Sequence, residues 1–531
     1  MRYNKIKTTN RVTFIMLLMI SLLSLSSCDK DFGDINTSFN ANLNEANVPG
    51  LFNGIVASIK KGETLNRVPV SWLYQWNQQA AMYTASGFRL DDKTTQSWQN
   101  FYASLANYKD IENLIVAKDN PADYTNIQAM AKVIMAYKSL RTTLLYGDMP
   151  FSEAGQGFIN TDGFRPVYES QQSIMEASIN DLTWAIDNLS TSATQVSLGG
   201  FDTLLGNDVG MWIKFANSLR FRYAMTMRDK NPTFADPIIA SSLGQPLLGA
   251  NEYIALDPAG IAGLENNREG FYRGNSYVRM GSTMWEAMSS TNAVDGSGIY
   301  DLRCSILFEP NEDDEWVPYP QNPDTNTATV TGNPHIRGRL TDWNLNRSNF
   351  ATINVYFVQD HSIPQFIVTG SQISFLKAEI YNRGIGGVAA DATMAESFYN
   401  EGITASVNFW YNHAFNSIWN VNAPTTAAPS AIEMDDMLTH AEVAYSATES
   451  VALDQIYKQS WISLFHQPFE AWNLQRRTGN ATPNTALSSS SLVTEFNKLT
   501  YPPSERETNR INWTAITGGT DSETNKIWIQ P

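Results

Sequence analysis

The sequence predicts a mainly α fold: antiparallel helix pairs, joined by long irregular loops and a few small strands. Three observations carry this. Apolar residues recur at helical spacing over several long stretches. Between these stretches lie segments dense in Gly, Pro, Asn and Asp, where that periodicity fades. Only two cysteines are present, so stability has to come from a packed core.

The chain opens on a segment that does not belong to that fold. Arg2, Lys5, Lys7 and Arg11 form a positive start, and Val12 to Leu25 is a mostly apolar run. The run is short for a membrane-spanning helix, which needs about 20 apolar residues. Leu25-Ser26-Ser27-Cys28 then places small residues before a cysteine. This order reads as a signal peptide over residues 1–27, with Cys28 as the lipidated first residue of the mature chain. Lipid on Cys28 leaves Cys304 without a disulfide partner. The remaining 28–531 exceeds the usual single-domain size.

The first stripe is Trp98, Phe101, Leu105, Tyr108 and Ile115, followed by Ile127, Met130, Ile134, Tyr137, Arg141 and Leu144. Met175, Ile179, Leu182, Ile186 and Leu189 repeat every three or four residues, and Trp212, Phe215, Ala216, Leu219 and Tyr223 do the same. A later stripe runs from Ala395 through Phe398, Tyr399, Gly402, Ile403 and Ser406 to Phe409 and Trp410. Helices of this length joined by polar connections pack as antiparallel neighbours. No internal 34-residue repeat is visible, so self-similarity does not support a solenoid.

From about 230 to 350 the chain reads as a loop-rich insertion, and a second turn-rich stretch covers about 411–450. The first holds Tyr253, Tyr272, Trp285, Tyr300, Trp316, Tyr319 and Trp343. Disordered segments are poor in aromatics, so these loops read as functional. Trp and Tyr offer a flat apolar face and a polar edge, which suits sugar rings or peptide side chains. The candidate ligand contacts are Tyr272, Arg273, Trp285, Trp316 and Tyr319, with Arg89 and Trp98 from the N-terminal third.

A net charge of −16 with 37 basic residues excludes a nucleic-acid footprint. Signals for catalysis are absent or ordinary. His335, His361, His413, His440 and His466 show no metal-ligand spacing, and neither a nucleophile elbow nor a phosphate loop occurs. Gly384-Ile385-Gly386-Gly387 follows helical periodicity, not a strand, and reads as a helix–helix turn. Asp295-Gly296-Ser297-Gly298 reads as a turn, and Asp313-Asp314-Glu315 as solvated loop surface. No metal or cofactor is expected.

Short motifs in a fixed order carry a resemblance. Cys28-Asp29-Lys30-Asp31-Phe32 is followed by Asp34-Ile35-Asn36, then Tyr146-Gly147-Asp148-Met149-Pro150-Phe151-Ser152-Glu153-Ala154. Lys214-Phe215-Ala216-Asn217-Ser218-Leu219-Arg220 precedes Arg222, and Tyr300-Asp301-Leu302-Arg303 stands where a D-P-R motif would have proline. Lys377-Ala378-Glu379 opens a helix ending at Arg383-Gly384. Trp461 to Phe465, Glu470-Ala471-Trp472, Arg476-Arg477-Thr478-Gly479 and Tyr501-Pro502-Pro503-Ser504-Glu505 with Asn509 complete the series. The chain closes on Lys526-Ile527-Trp528, with Ile529 replacing a second tryptophan. Together these resemble the SusD/RagB family of nutrient-binding outer-membrane lipoproteins, particularly its second SusD-like branch.

Physically these motifs read as architecture: on the Lys214–Arg222 helix, Phe215 and Leu219 face inward and Arg220 outward, and Arg476 to Gly479 reads as a helix C-terminus. The resemblance implies tetratricopeptide-like helix pairs and a non-enzymatic role. Such a protein captures a glycan, most simply an oligosaccharide or polysaccharide, and passes it to a SusC-like TonB-dependent transporter. Asp29-Lys30-Asp31 resembles the acidic export signal of surface lipoproteins in Bacteroidetes-type bacteria, implying a surface-exposed outer-membrane location. The same loop aromatics suit a peptide or protein fragment, and the helical grooves suit an envelope scaffold. A glycoside hydrolase using loop carboxylates is a further alternative.

Overall fold

A computed structural model describes residues 47–59, 73–82, 94–155, 164–260, 278–291, 293–311, 313–321, 349–354, 360, 362–417, 424–479 and 496–531. The chain divides after Gly50. Of the first unit only Asn47–Gly50 are described, where helix α1 (Val48–Ala57) begins. All that follows concerns the second unit. The lipidation candidate Cys28 lies outside the described residues.

Five helices form the first stack in chain order: α2 (Thr94–Val116), α3 (Thr125–Tyr146), α4 (Gln171–Asn188), α5 (Val209–Met227) and α6 (Pro232–Leu243). Cross-links between opposite ends show that neighbours are antiparallel. Near the start of α3, Asn126 donates to the Ser190 carbonyl (2.7 Å), and at its end the Thr143 carbonyl accepts from Gln171 (2.7 Å). Between α5 and α6, Asn217 reaches the Ser242 carbonyl while Arg228 pairs with Asp236. Start signals are local: Ser170, Asp208 and Asn231 each accept from a backbone N–H one turn inside α4, α5 and α6. Helix α3 is buried on nearly every face because α2, α4 and α5 all pack on it.

A second stack comprises α8 (Gly370–Arg383), α9 (Ala392–Asn416) and α11 (Glu449–Ser463), with α7 (Ser282–Met288) before it and α10 (Ala431–Thr439) between the last two. Helices α8 and α9 approach closely at Gly402, where a Cβ would lie 3.0 Å from the Phe375 ring. Helix α12 (Pro468–Thr478) contacts α5 and the single helical turn Leu73–Trp76. Both α8 and α12 stop at a left-handed glycine, Gly384 (φ 60°) and Gly479 (φ 74°), as the sequence predicts. Helices α13 (Pro503–Thr508) and α14 (Arg510–Thr517) follow.

The strands are short. β1 (Ala81–Met82), β5 (Val278–Arg279), β7 (Thr352–Ile353) and β6 (Phe308–Glu309) form an antiparallel sheet in that order. Two further antiparallel pairs join β2 (Met149–Pro150) to β3 (Tyr168–Glu169), and β4 (Tyr253–Leu256) to β8 (Gln365–Thr369). The predominance of helix with a few small strands agrees with the predicted fold class.

Some local expectations are corrected. Arg220 points inward, 3% exposed, bonding Asn217 Oδ1 (2.8 Å), because α4 and α6 cover the face that the motif assigned to solvent. Helix α8 begins at Gly370, seven residues before Lys377, because strand β8 feeds it directly. Within 230–350, Asn231 and Pro232 initiate α6, which carries Pro237 internally. Within 411–450, α9 continues to Asn416, and Ser430 with Glu433 forms a capping box that starts α10.

An ionic cluster, buried at Glu379 and Arg477 and open to solvent at Asp229, ties the two stacks together. Glu379 on α8 is 1% exposed by side chain and accepts from both terminal nitrogens of Arg477 on α12, at 2.9 and 2.6 Å. It also accepts from Arg383 (2.8 Å) and Tyr457 on α11 (3.0 Å). Arg383 continues to Asp229 (2.5 Å) at the α5–α6 turn. Burial alone pushes the Glu379 carboxyl up, but Arg477 and Arg383 outweigh it and hold the group below its ordinary value of 4.5. Stability from this group is therefore present above the unfolded carboxylate range, and is lost as pH falls through the depressed folded value. Glu379→Gln should cost about 3–5 kcal/mol by leaving Arg477 buried without its charge partner, measured by denaturant unfolding at neutral pH. The variant should lose part of the acid sensitivity of the parent.

Lys138 on α3 has the opposite character. It is fully enclosed and donates to the Ser58 carbonyl (3.1 Å), Ser58 Oγ (2.9 Å) and Asn100 Oδ1 (2.6 Å), all neutral acceptors. Burial, aided by nearby Arg141, lowers its pKa from 10.5 to about 7. The unfolded chain then binds more protons than the folded chain between those values, so stability rises with pH through that window. Replacing Lys138 with Met should flatten the rise, read from unfolding free energies between pH 6 and 10.

Candidate functional site

The four-stranded sheet positions three of the predicted ligand contacts. Leaving β5, the chain pairs Met280 with Tyr319: the Tyr319 N–H donates to the Met280 carbonyl (2.8 Å), and Ser282 N–H donates to the Tyr319 carbonyl (3.0 Å). Gly281 then starts α7, which carries Trp285. Trp316 N–H donates to the Val294 carbonyl (2.7 Å), which lays its indole on Trp285 with centroids 5.7 Å apart and planes at 6°. Gly296 (φ 78°) allows this, since a Cβ there would lie 2.8 Å from Trp316 Nε1. Tyr319 meets the Phe350 ring edge-on at 4.9 Å.

The structure thus brings Trp285, Trp316 and Tyr319 into one region, 2%, 9% and 2% exposed. Each indole gives one face to the other. Arg89, Tyr272 and Arg273 lie outside the described residues. Asp313, Asp314 and Glu315, beside Trp316, are exposed. Among the described residues no group of three His, Cys, Asp or Glu side chains is placed to hold a metal ion, and no helix is long and apolar enough to cross a membrane.

Trp98 belongs to a different aromatic cluster. On α2, 4% exposed, it meets Tyr146 (5.0 Å, 77°), Tyr102 (5.1 Å) and Tyr501 (5.6 Å, 82°). The phenols find fixed partners: Tyr102 donates to the Pro150 carbonyl (2.8 Å), Tyr501 to the Asp148 carbonyl (2.7 Å) and Tyr168 to Glu505 (2.6 Å). Burial pushes all of their pKa values up, keeping them neutral donors.

In front of Tyr501 opens a cleft of about 560 Å³, within the roughly 300–1,000 Å³ usual for small-ligand sites. Pro502, Arg506, Arg510, Trp513 and Asp521 line it with Tyr501. Its walls are α13 and α14, which Asn509 and Asn512 fasten to the Pro166 carbonyl at 2.9 and 3.1 Å. Asp521 is already engaged by Lys498 Nζ (2.8 Å) and the Tyr501 N–H (2.5 Å). Sequence reasoning missed this cleft. Tyr501 to Glu505 with Asn509 served only as a family motif, and Trp513 lies on a stripe too short to stand out. The available signal was a pair of arginines four residues apart beside a tryptophan in an acid-rich chain. Trp98→Ala should lower stability by about 3–5 kcal/mol in denaturant unfolding; an unchanged midpoint would mean that its ring supports nothing behind the cleft.

The chain belongs to the SusD-like_2 family, described as starch-binding associating with outer membrane, whose model matches residues 41–502. Membership makes it a non-catalytic protein of a glycan-binding, outer-membrane-associated family. Among solved structures, a chitin-binding protein is 22% identical, with 91% of this chain and 100% of that chain covered and a TM-score of 0.70. A SusD-like protein from Bacteroides thetaiotaomicron is 19% identical, covering 91% and 99%, with a TM-score of 0.67. A chitin-binding SusD homologue from Flavobacterium johnsoniae is 19% identical, covering 91% and 98%, with a TM-score of 0.62. At these identities the likeness concerns the fold. No curated protein sequence matches the chain significantly.

Proposed function

We propose that this chain is a surface lipoprotein, anchored by lipid at Cys28, that captures an oligosaccharide or polysaccharide and hands it to a SusC-like TonB-dependent transporter. The observation that carries the reading is the family match over residues 41–502. Two structural relatives described as chitin-binding point the same way. The proposed contacts are Trp316, the most exposed of the three at 9%, with Trp285 and Tyr319 as its buried backing; Arg89, Tyr272 and Arg273 are further candidates, while Trp98 acts indirectly by supporting Tyr501. An indole or phenol face against the C–H face of a pyranose supplies apolar contact and leaves the sugar hydroxyls to polar neighbours.

Calorimetric titration of the purified protein against a panel of neutral polysaccharides, oligosaccharides and peptides tests this. One glycan class should bind saturably, without release of new reducing ends. Trp316→Ala should weaken that binding by about 1 kcal/mol, some fivefold. Peptide binding alone would replace the glycan by a peptide ligand, and degradation products would refute the non-catalytic role.

A further inference from the structure

We infer that the cleft in front of Tyr501 is a binding site for an anionic saccharide, a pyranose unit bearing a carboxylate or a sulfate ester. The saccharide part rests on the glycan-capture reading, and the anionic part on side chains that the reading leaves unused.

The charge inventory of the cleft is asymmetric. Arg506 lies in the last turn of α13 and Arg510 begins α14, both exposed and both lining the space. Among the described residues, no ion pair or hydrogen bond engages either guanidinium. Of the nearby acids only Asp521 lines the opening, and it is already paired with a cation. Asp521 is held by Lys498, and Glu505 accepts from Tyr168. Glu507 is exposed on α13 and is not part of the lining. Two free guanidinium groups therefore share one opening in a chain of net charge −16. A guanidinium forks onto the paired oxygens of a carboxylate or sulfate, which makes this the ligand chemistry that the opening selects.

The rest of the lining suits a ring. Trp513, Tyr501 and Pro502 are flat or rigid apolar groups, and Trp513 and Tyr501 are 7% and 8% exposed, so packing holds them in place before any ligand arrives. Gly518 (φ 63°) and Gly519 (φ 87°) turn the chain at the rim, with nothing within 4 Å of where a side chain would start. The cleft's volume of about 560 Å³ leaves room for a sugar unit. The arginines would supply the discrimination between a charged unit and its neutral counterpart.

The test is calorimetric titration of the purified protein, and of an Arg506→Gln/Arg510→Gln double variant, at low and high salt. The probes are oligogalacturonate, its methyl ester, a sulfated galactan oligosaccharide and a neutral oligosaccharide panel. The parent should bind the uronate or the sulfated probe, at least tenfold more tightly than the uncharged counterpart, with affinity falling as salt rises. The double variant should lose at least tenfold for the anionic probe, while its thermal midpoint and its affinity for neutral glycans stay unchanged. Equal binding of acid and ester, or full affinity in the double variant, would overturn the assignment. So would silence toward both anionic probes; neutral-glycan binding retained in that case would leave glycan capture standing. Anionic binding without any neutral binding would instead leave the cleft standing and remove the neutral glycan from the reading.

Discussion

Glu379 and Arg477 centre a polar cluster that links five helices packed on one another. The carboxylate stands on α8 and the guanidinium on α12, while Arg383 extends the pair to Asp229 at the α5–α6 turn and Tyr457 adds α11. Apolar contact between helix stacks is non-directional and tolerates sliding. A bidentate ion pair closed off from water does not, because a small displacement strands a buried charge. Arg222 on α5 plays a similar part, donating to the Ile367 carbonyl ahead of α8 (2.8 Å) and facing Glu470 on α12 at 3.6 Å. Arg303 repeats the device beside α9 and α11, held by Asp301 (2.6 Å), Gln459 and Ser406.

This arrangement explains why the charged members of the motifs are where they are. Arg220, Arg222, Arg303, Glu379, Arg476 and Arg477 are all buried, and each finds a partner on another element or a neighbouring turn. They make the frame on which the surface loops stand. The residues proposed for ligand contact are a different set, in the sheet region around Trp316 and in the α13–α14 cleft. Those residues are joined to the frame through packing, as Trp98 is to Tyr501.

Two different physical styles of site result. Trp285 and Trp316 stack on one another and depend on a positive-φ glycine for their spacing. The cleft depends on Asn509 and Asn512 pinning a helix break against the Pro166 carbonyl, which sets Arg506 and Arg510 on the two sides of that break. In the first the aromatic faces are spent largely on one another, while in the second the Arg506 and Arg510 side chains stay exposed.

Apolar stripes such as Met175 to Leu189 made the helices legible, because period and cap residues are local properties. The glycine stops at Gly384 and Gly479 were legible for the same reason. Motif order along the chain identified the family. Sequence alone could not decide which side of the Lys214–Arg222 helix meets solvent: α5 is covered on both sides, so Arg220 is inside despite its charge. Nor could it tell a helix C-cap from a buried ion pair at Arg476-Arg477, since the partner Glu379 lies about a hundred residues away. The cleft was hidden for the same reason. Tyr501, Trp513 and Asp521 become its walls only when the chain folds back over the α13–α14 break. Local periodicity records which elements form; only long-range packing settles which of their charges are consumed inside and which remain free to bind.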